Sequence, residues 1–531
     1  MERQKIHLLP FLVITLVVTF ASVMLLWVTA NGLGVSPDST IYIETAKNLL
    51  AGNGFYAGGE PMTHYPPFYP LMLAMAGLLG HDILDAGRLL HAFLYAANAI
   101  LFGLSIYICT RQNTVATACA FLFFFSSTAV LWTHSFAWSE SPFITFLLAA
   151  FVLFSLHLAS PRLSLILAAS VASSLAIATR YPGIALLPPM LFGLLLFGNR
   201  PLRHRITDIL ITVSVASVPV AVWFIRNIMI AHTAANRSFA IHPAGLSHVK
   251  DLIVTLHDYV LPGYGSIPIP VWVKAIDITI FVGALLLALA IVLRPRFIKL
   301  STVSLAVIFS SLGMLFGLVY IVLVFLSISF FDANTALDGR ICLPVFVLLA
   351  IAAISLAWSL SGALQRPTIW WVFILGLLVL VSINVMRVTK VAIDMHTNGI
   401  GYNSRQWNKS TTLSQLKSFG QAVIIYSNGA DVIRFKTGRD AVMIPGHTFV
   451  TTRNHNENYQ DQLKAMCEEC TEGKAVVVYL NGIIPRRSDL PTENEIKSAC
   501  RLPILSQSED GTIYGRNRRG INDNADTIGH Q

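Results

Sequence analysis

Asp38 stands at the head of the stretch GVSPDSTIYIETAKNLLAGNGFY, residues 34–56, directly after an apolar run of membrane-span character. A carboxylate held there could act as a general base, taking a proton from an attacking hydroxyl. Further ionisable side chains fall at the ends of other apolar runs: Glu140 beside Trp138 and Ser139, Arg180 beside Tyr181, Arg226 beside Asn227, and Asp338 with Arg340. Arginine suits phosphate, because its planar fork donates paired hydrogen bonds. Each residue also has a plainer reading. Asp38 is an acid well placed near a helix N-terminus. The others could be interfacial snorkelling groups or halves of structural ion pairs. Three arginines sharing one face with two or three carboxylates weigh towards a site.

The element that must position Asp38 is a short helix. Ser36 is a good N-cap, Pro37 suits the first helical position, and Gly52, Asn53 and Gly54 end the run. Ile41, Tyr42, Ala46, Leu49 and Leu50 form one face, and Thr40, Glu44, Lys47 and Asn48 the other. That pattern predicts an amphipathic helix lying on the membrane surface. The same loop runs on through Pro61, His64, Tyr65, Pro66, Pro67, Phe68, Tyr69 and Pro70, a structured rather than a spacer sequence. Tyr42, His64, Tyr65, Glu140, Tyr181 and Asp338 are candidates to line a substrate pocket. His232, His242, His248 and His257 share a later loop. Their spacing matches no compact ligand motif, so surface histidines are the default. A divalent metal at His232 and His242 is the minor alternative, and no cofactor is otherwise indicated.

These elements belong to a membrane chain. Of 531 residues, 54% are hydrophobic and 12% charged, with mean hydropathy +0.64. A soluble domain carries about a quarter charged residues. About 20 apolar residues cross a bilayer, and on that ruler eleven spans are expected, at 8–30, 84–110, 114–133, 141–159, 163–179, 183–198, 206–230, 275–293, 301–330, 341–360 and 369–388. The net charge of +9 sits mostly in short loops around Arg3 and Lys5, Arg111, Arg162, Arg200 to Arg205, Arg294 to Lys299, and Arg366. Such loops face the cytoplasm, which accounts for the basic excess without nucleic acid. The longer loops 31–83, 231–274 and 331–340 then face outward, with the N-terminus inside and the C-terminus outside. The first span reads as a retained signal anchor.

From about residue 391 the composition becomes polar. The runs AVIIYSN (422–428), AVMIP (441–445) and KAVVVYLNG (474–482) alternate with helical patterns, which predicts a small α/β domain over 391–515 and a flexible tail over 516–531. Cys109, Cys119 and Cys342 fall in spans and read as buried small hydrophobes. Two of Cys467, Cys470 and Cys500 could pair in an oxidising compartment. The C-E-E-C spacing also admits a redox pair or a metal site.

The pattern D-S-x-x-Y-x-x-x-A-x-N-L-x-x-G-x-G-F over 38–55, followed by Y-P-P-x-Y-P over 65–70, resembles the first outer loop of the GT-C glycosyltransferases. The likeness is to the bacterial branch related to protein O-mannosyltransferases and lipid A aminoarabinose transferases. S-E-x-P-F from Ser139, T-R-Y from Thr179, R-N at Arg226 and G-R-x-x-L-P from Gly339 look like later elements of these enzymes. The resemblance covers 8 to about 390. The segments Y-N-S-R-Q-W, Y-S-N-G-A-D and T-G-R within 402–439 are similar to an outer domain appended to some bacterial members. The resemblance implies a mainly α, polytopic helical bundle in a bacterial inner membrane, with a C-terminal extracytoplasmic α/β domain. It implies transfer of a sugar from a polyprenyl-phosphate donor to a glycan, lipid or protein acceptor on the extracytoplasmic face. Asp38 would be the catalytic base, with Arg226, Arg340 and Arg180 on the donor phosphate. The family often carries Asp-Glu at the motif. Here Ser39 follows, so Asp38 is its sole acid. A flippase or transporter would place charges deep in spans and show repeated halves, and neither pattern is evident. A polysaccharide polymerase or ligase would also use outer-loop arginines, without the first-loop Asp motif. A receptor displaying the tail domain would need no convergent charges.

Overall fold

A computed structural model describes residues 2–198, 200–260, 304–484 and 487–516. Seven helices are long and apolar enough to cross a membrane. They are Phe11–Val28, Ile83–Cys109, Glu140–Ala159, Leu202–Ala231, Leu305–Phe330, Leu343–Ala363 and Pro367–Asn398. The expected span at 114–133 is two helices, Thr114–Ser126 and Thr128–His134, bent by 64°. Ser127 makes the break: its hydroxyl accepts from the Val130 amide and starts the second helix. The segments at 163–179 and 183–198 form shorter apolar helices, Leu163–Thr179 and Tyr181–Phe197. Seventeen residues reach about 25 Å, short of a hydrocarbon core of about 30 Å. Among the described residues there are therefore seven straight spans, or eight with the bent pair, where eleven were expected. The 275–293 segment lies outside the described residues, as do Arg294 to Lys299.

One large apolar cluster fills the bundle, with Phe102, Phe143, Phe154, Phe309 and Phe316 buried within it. Phe11, Leu16, Met229, Val372 and Met386 stay mostly exposed on the outside of their helices, as side chains facing lipid would.

The Pro37–Leu50 helix forms where the sequence places it, with Ser36 as N-cap and Gly52 and Gly54 at positive φ beyond its end. It does not lie open on a surface. Tyr42, Ile43 and Ala46 pack with Leu33, Val35, Tyr69 and Leu73. Ser39 and Thr45 are buried as well. The helix rests against Phe68–Gly77 on one side and against Ala430–Thr437 from the C-terminal region on another. That second cover is why the two-faced pattern does not end in an exposed face.

Beyond the last span, five strands form a mixed sheet in the order Ala441–Met443, Ile424–Ser427, Ala475–Tyr479, Gly511–Tyr514, Ile504–Ser508. The first three are parallel and the last two antiparallel. Ala475–Tyr479 is central, and its first four residues are buried, as an apolar run between two layers must be. Helices Ala430–Thr437, Tyr459–Thr471 and Glu493–Cys500 complete the unit, with separate apolar clusters on the two faces of the sheet. Cys467 pairs with Cys500, joining two of these helices. Cys470 is free and buried, as are Cys109, Cys119 and Cys342. The C-E-E-C spacing therefore forms neither a redox pair nor a metal site. Residues 517–531 lie outside the described ones.

Candidate active site

Four charged side chains from four distant segments meet at one end of the bundle. Glu140 is the first residue of the Glu140–Ala159 helix, and Arg180 is the C-cap of Leu163–Thr179. A carboxylate at a helix N-terminus and a cation at a C-terminus are each favoured by the helix dipole. Arg340 sits in the turn that precedes Leu343–Ala363, and Asp38 in the first turn of Pro37–Leu50.

Their geometry is close. Arg340 Nη2 lies 2.6 Å from Asp38 Oδ2, and its Nε donates to Glu140 Oε1. Arg180 Nη1 meets the same Glu140 oxygen and also donates to the Ser139 hydroxyl at 3.1 Å. Tyr65 donates its hydroxyl to Asp38 Oδ1 at 2.8 Å. Tyr42 lies 3.3 Å from Ser139 Oγ and edge-on to the Tyr65 ring. The Glu140 side chain is 1% exposed and that of Asp38 29%, so of the two carboxylates Asp38 is the one open to a reactant. Glu140 Oε2 and Arg180 Nε are buried without hydrogen-bond partners, so the cluster keeps unused bonding capacity.

Three devices fix the parts. The Arg340 guanidinium lies over the Trp138 ring at 4.3 Å, and the Trp138 Nε1–H donates to Ser36 Oγ at 2.7 Å. Ser36 also meets the buried Ser39 hydroxyl at 3.1 Å. Ser39, the residue after Asp38, is thus held by a small polar neighbour. The Arg340 turn is held by hydroxyls: Tyr259 donates to Gly339 O at 2.6 Å, Thr255 to Leu337 O at 2.6 Å, and Tyr320 to Ile341 O at 3.0 Å.

Burial works to raise the Asp38 pKa. It is outweighed by the Arg340 charge, the hydrogen bonds from Tyr65 and Arg340, and the Arg180 charge, which together hold it below its ordinary value. The same burial, reinforced by the Asp38 charge, pushes the Tyr65 phenol up, so it stays a donor. For Arg340 burial acts downward, and Glu140 and Asp38 more than offset it. The centre has two guanidiniums and two carboxylates, with no formal net charge.

The remaining sequence candidates stand outside this centre. Arg226 is engaged elsewhere. The Arg226 guanidinium donates to Met62 O at 2.8 Å and Phe55 O at 3.2 Å and covers the Trp223 ring at 4.6 Å. Asn227 reaches the Thr63 and Ala234 carbonyls. Through the Phe55, Met62 and Thr63 carbonyls the pair clamps the short hairpin in which Tyr56–Ala57 pairs with Glu60–Pro61. Asp338 accepts from the Arg340 and Ile341 amides at 3.0 and 2.9 Å, ordering the turn that presents Arg340. His64 stacks edge-on against Tyr65, with its pKa lowered by burial and by the charge of Arg237. Tyr181 packs against Phe224. His232 adopts a left-handed conformation that ends Leu202–Ala231, and the His242 backbone bonds Ser329. Among the described residues no group of three His, Cys, Asp or Glu is placed to hold a metal. Tyr402, Ser36 as a bridge, and Trp138 as a platform were not assigned from sequence. Only the fold shows what they touch.

The chain is similar in structure to ArnT from Cupriavidus metallidurans in the apo state, with TM-score 0.56 and 13% identity, covering 94% of this chain and 97% of that one. The two chains share a fold over nearly their whole lengths. The likeness extends to ArnT of the same organism bound to undecaprenyl phosphate, with TM-score 0.50 and 14% identity over 94% and 97% of the two chains. The arabinofuranosyltransferase AftD from Mycobacteria matches with TM-score 0.51 and 16% identity, over 94% of this chain and 39% of its own length. In sequence, residues 64–223 match the family described as dolichyl-phosphate-mannose-protein mannosyltransferase. No curated protein matches the chain in sequence. With seven helices long and apolar enough to cross a membrane, the chain is an integral membrane protein.

Proposed function

We propose that the protein transfers a sugar from a polyprenyl-phosphate carrier to a hydroxyl acceptor on the extracytoplasmic face of the membrane. The observation that carries this reading is the Asp38–Arg340–Glu140–Arg180 centre at one end of the bundle, with Asp38 its most exposed member and Glu140 buried. The family match to a phosphate-lipid-dependent mannosyltransferase and the likeness to a transferase bound to undecaprenyl phosphate support the donor class.

Asp38 takes the proton of the acceptor hydroxyl as its oxygen attacks the anomeric carbon. The bond from that carbon to the phosphate oxygen breaks, and its electron pair leaves with the polyprenyl phosphate. Charge balance supports the assignment. A glycosyl phosphodiester carries one negative charge, and the leaving monoester gains a second as it forms. When Asp38 becomes protonated, the four-residue centre passes from neutral to one net positive charge. The field of the centre thus turns towards the leaving group at the moment charge develops on it. Arg340 and Arg180 hold the phosphate through the partly exposed edges of their guanidiniums, the side chains being 18% and 13% exposed beside Asp38. Arg226 serves by fixing the loop.

Eleven spans, counting the bent pair, the 275–293 segment and the shorter Leu163–Thr179 and Tyr181–Phe197 helices where the bilayer thins to meet them, belong to the same reading, with a cytoplasmic N-terminus, a bacterial inner-membrane location and an extracytoplasmic C-terminal α/β unit. The Cys467–Cys500 bond favours that side for the unit. The test is mass spectrometry of envelope glycans and lipid carriers in a deletion strain. Loss of a sugar decoration with accumulation of its lipid-linked precursor is expected. Unchanged glycans and carriers contradict the reading.

A further inference from the structure

The C-terminal unit touches the active site through backbone. Residues 31–35 lead from the first span into the Asp38 helix and are bonded on both sides. On one side, Gly34 N donates to Ser135 O at 2.8 Å and Ala137 N to Gly34 O at 2.9 Å, in the segment that continues into Trp138, Ser139 and Glu140. On the other side, Tyr402 N donates to Val35 O at 2.8 Å and Asn403 Nδ2 to Leu33 O at 2.7 Å. Parallel bridges join Gly34 to Phe136 and Val35 to Gly401. Residues 399–403 thus complete a three-stranded clamp, with the strand that leads to Asp38 in the middle and the one that leads to Glu140 at its edge.

The clamp is anchored in the C-terminal unit. The Tyr402 ring packs against both the apolar cluster of the first loop and one face of the sheet. Its hydroxyl donates to Asp431 Oδ2 at 2.5 Å, in the first turn of Ala430–Thr437. Lys436 of the same helix bonds Asn403 Oδ1 at 3.1 Å. Gly401 allows the close approach. Its φ is +57°, and a Cβ there would collide with the Val35 carbonyl oxygen and the Phe136 ring.

From these contacts we infer that residues 399–403 are a positioning element of the active site, through which the C-terminal unit sets the place of Asp38 against Arg340. The unit is then a working part of the transferase and not an appended passenger. This rests on the transferase reading above. Gly401 and Tyr402 touch no reactant and act through residues 33–38.

The test compares Gly401→Ala with Gly438→Ala. Gly438 has a similar φ of +67° in the same unit and open space around it, so the two substitutions share backbone strain and differ in the contact. The probe is the pool of polyprenyl-phosphate-linked sugar extracted from cells lacking the protein. Gly401→Ala is expected to lower kcat by about 10- to 100-fold, the effect of misplacing a reacting group by about 1 Å, with the donor KM little changed. Its acid limb should move to higher pH as the Asp38–Arg340 contact loosens. Gly438→Ala should match the wild type in both. If Gly401→Ala fails to fold, Asn403→Ala decides in its place, because it removes the bond to Leu33 O without a clash. Wild-type kcat and pH profile in a folded variant of the clamp overturn the inference. Full activity of Asp38→Asn in the same assay overturns instead the transferase mechanism on which it stands.

Discussion

Arg340 Nη2 lies 2.6 Å from Asp38 Oδ2, although the two residues stand near opposite ends of the membrane part of the chain. The contact gives Asp38 the ionised form a base needs, and it lowers the basicity of that form. The balance is set by how much positive charge surrounds the carboxylate. Arg340→Gln removes the larger part of it. The Asp38 pKa then rises, and the acid limb of the kcat/KM profile moves to higher pH. Transfer falls by about 100- to 1,000-fold, as when a donor at a site of developing charge is removed. A pH–rate series on the variant and the wild type checks both. The sign for stability is the same. A depressed carboxylate pKa contributes stability above the unfolded value, and that contribution is lost as pH falls through the folded one. The variant should therefore lose less stability on acidification than the wild type.

Tyr65→Phe removes the hydrogen bond to Asp38 Oδ1 and leaves Arg340 in place. Its acid limb should move in the same direction as in Arg340→Gln, by less. The rate should fall by about tenfold, which is about 1.4 kcal/mol in the barrier. Steady-state kinetics across pH separate this from a folding defect, which would lower the active fraction without moving the limb.

Glu140→Ala leaves Arg180 and Arg340 without their shared buried carboxylate. Removing one partner of a buried ion pair costs about 3–5 kcal/mol. The expected result is a marked fall in Tm in detergent, larger than for Glu140→Gln, which keeps the volume and some hydrogen bonding. Thermal unfolding of the two variants beside the wild type reads the difference.

The Cys467–Cys500 bond closes a loop of 33 residues. In the chain-entropy account that stabilises the C-terminal unit by about 3–4 kcal/mol. Cys500→Ala should lower the melting temperature of that unit, and a reducing agent should bring the wild type down to the variant and leave the variant unchanged. A melt followed with and without reductant measures this.

Much of this was legible in the sequence because it is local. The Pro37–Leu50 helix announces itself through Ser36, Pro37 and the glycines at 52 and 54, and the parallel strands through apolar runs bounded by turn residues. The meeting of Asp38 with Glu140, Arg180 and Arg340 followed from placing span ends on one face, which topology supplies without distances. Topology could not separate Arg226 from that group. Both Arg226 and Arg340 stand beside apolar runs, and only packing shows that one reaches the Met62 and Phe55 carbonyls and the other Asp38. The covered side of the Asp38 helix was hidden for the same reason. Tyr402 lies far along the chain, and nothing in its neighbours indicates that its backbone bonds Val35. The bend at Ser127 was masked by an unbroken apolar run, since the hydroxyl that caps the second helix changes hydropathy little.

The role proposed for Asp38 is that of the base in sugar transfer from a lipid phosphate. It is tested most directly by transfer from the extracted polyprenyl-phosphate-linked sugar pool, comparing wild type with Asp38→Asn at matched amounts of folded, membrane-inserted protein. Asn keeps the shape and cannot take the proton. Transfer by Asp38→Asn should fall by about 1,000-fold or more, at the upper range of general-base contributions, with donor binding retained. Wild-type rates in Asp38→Asn would contradict it.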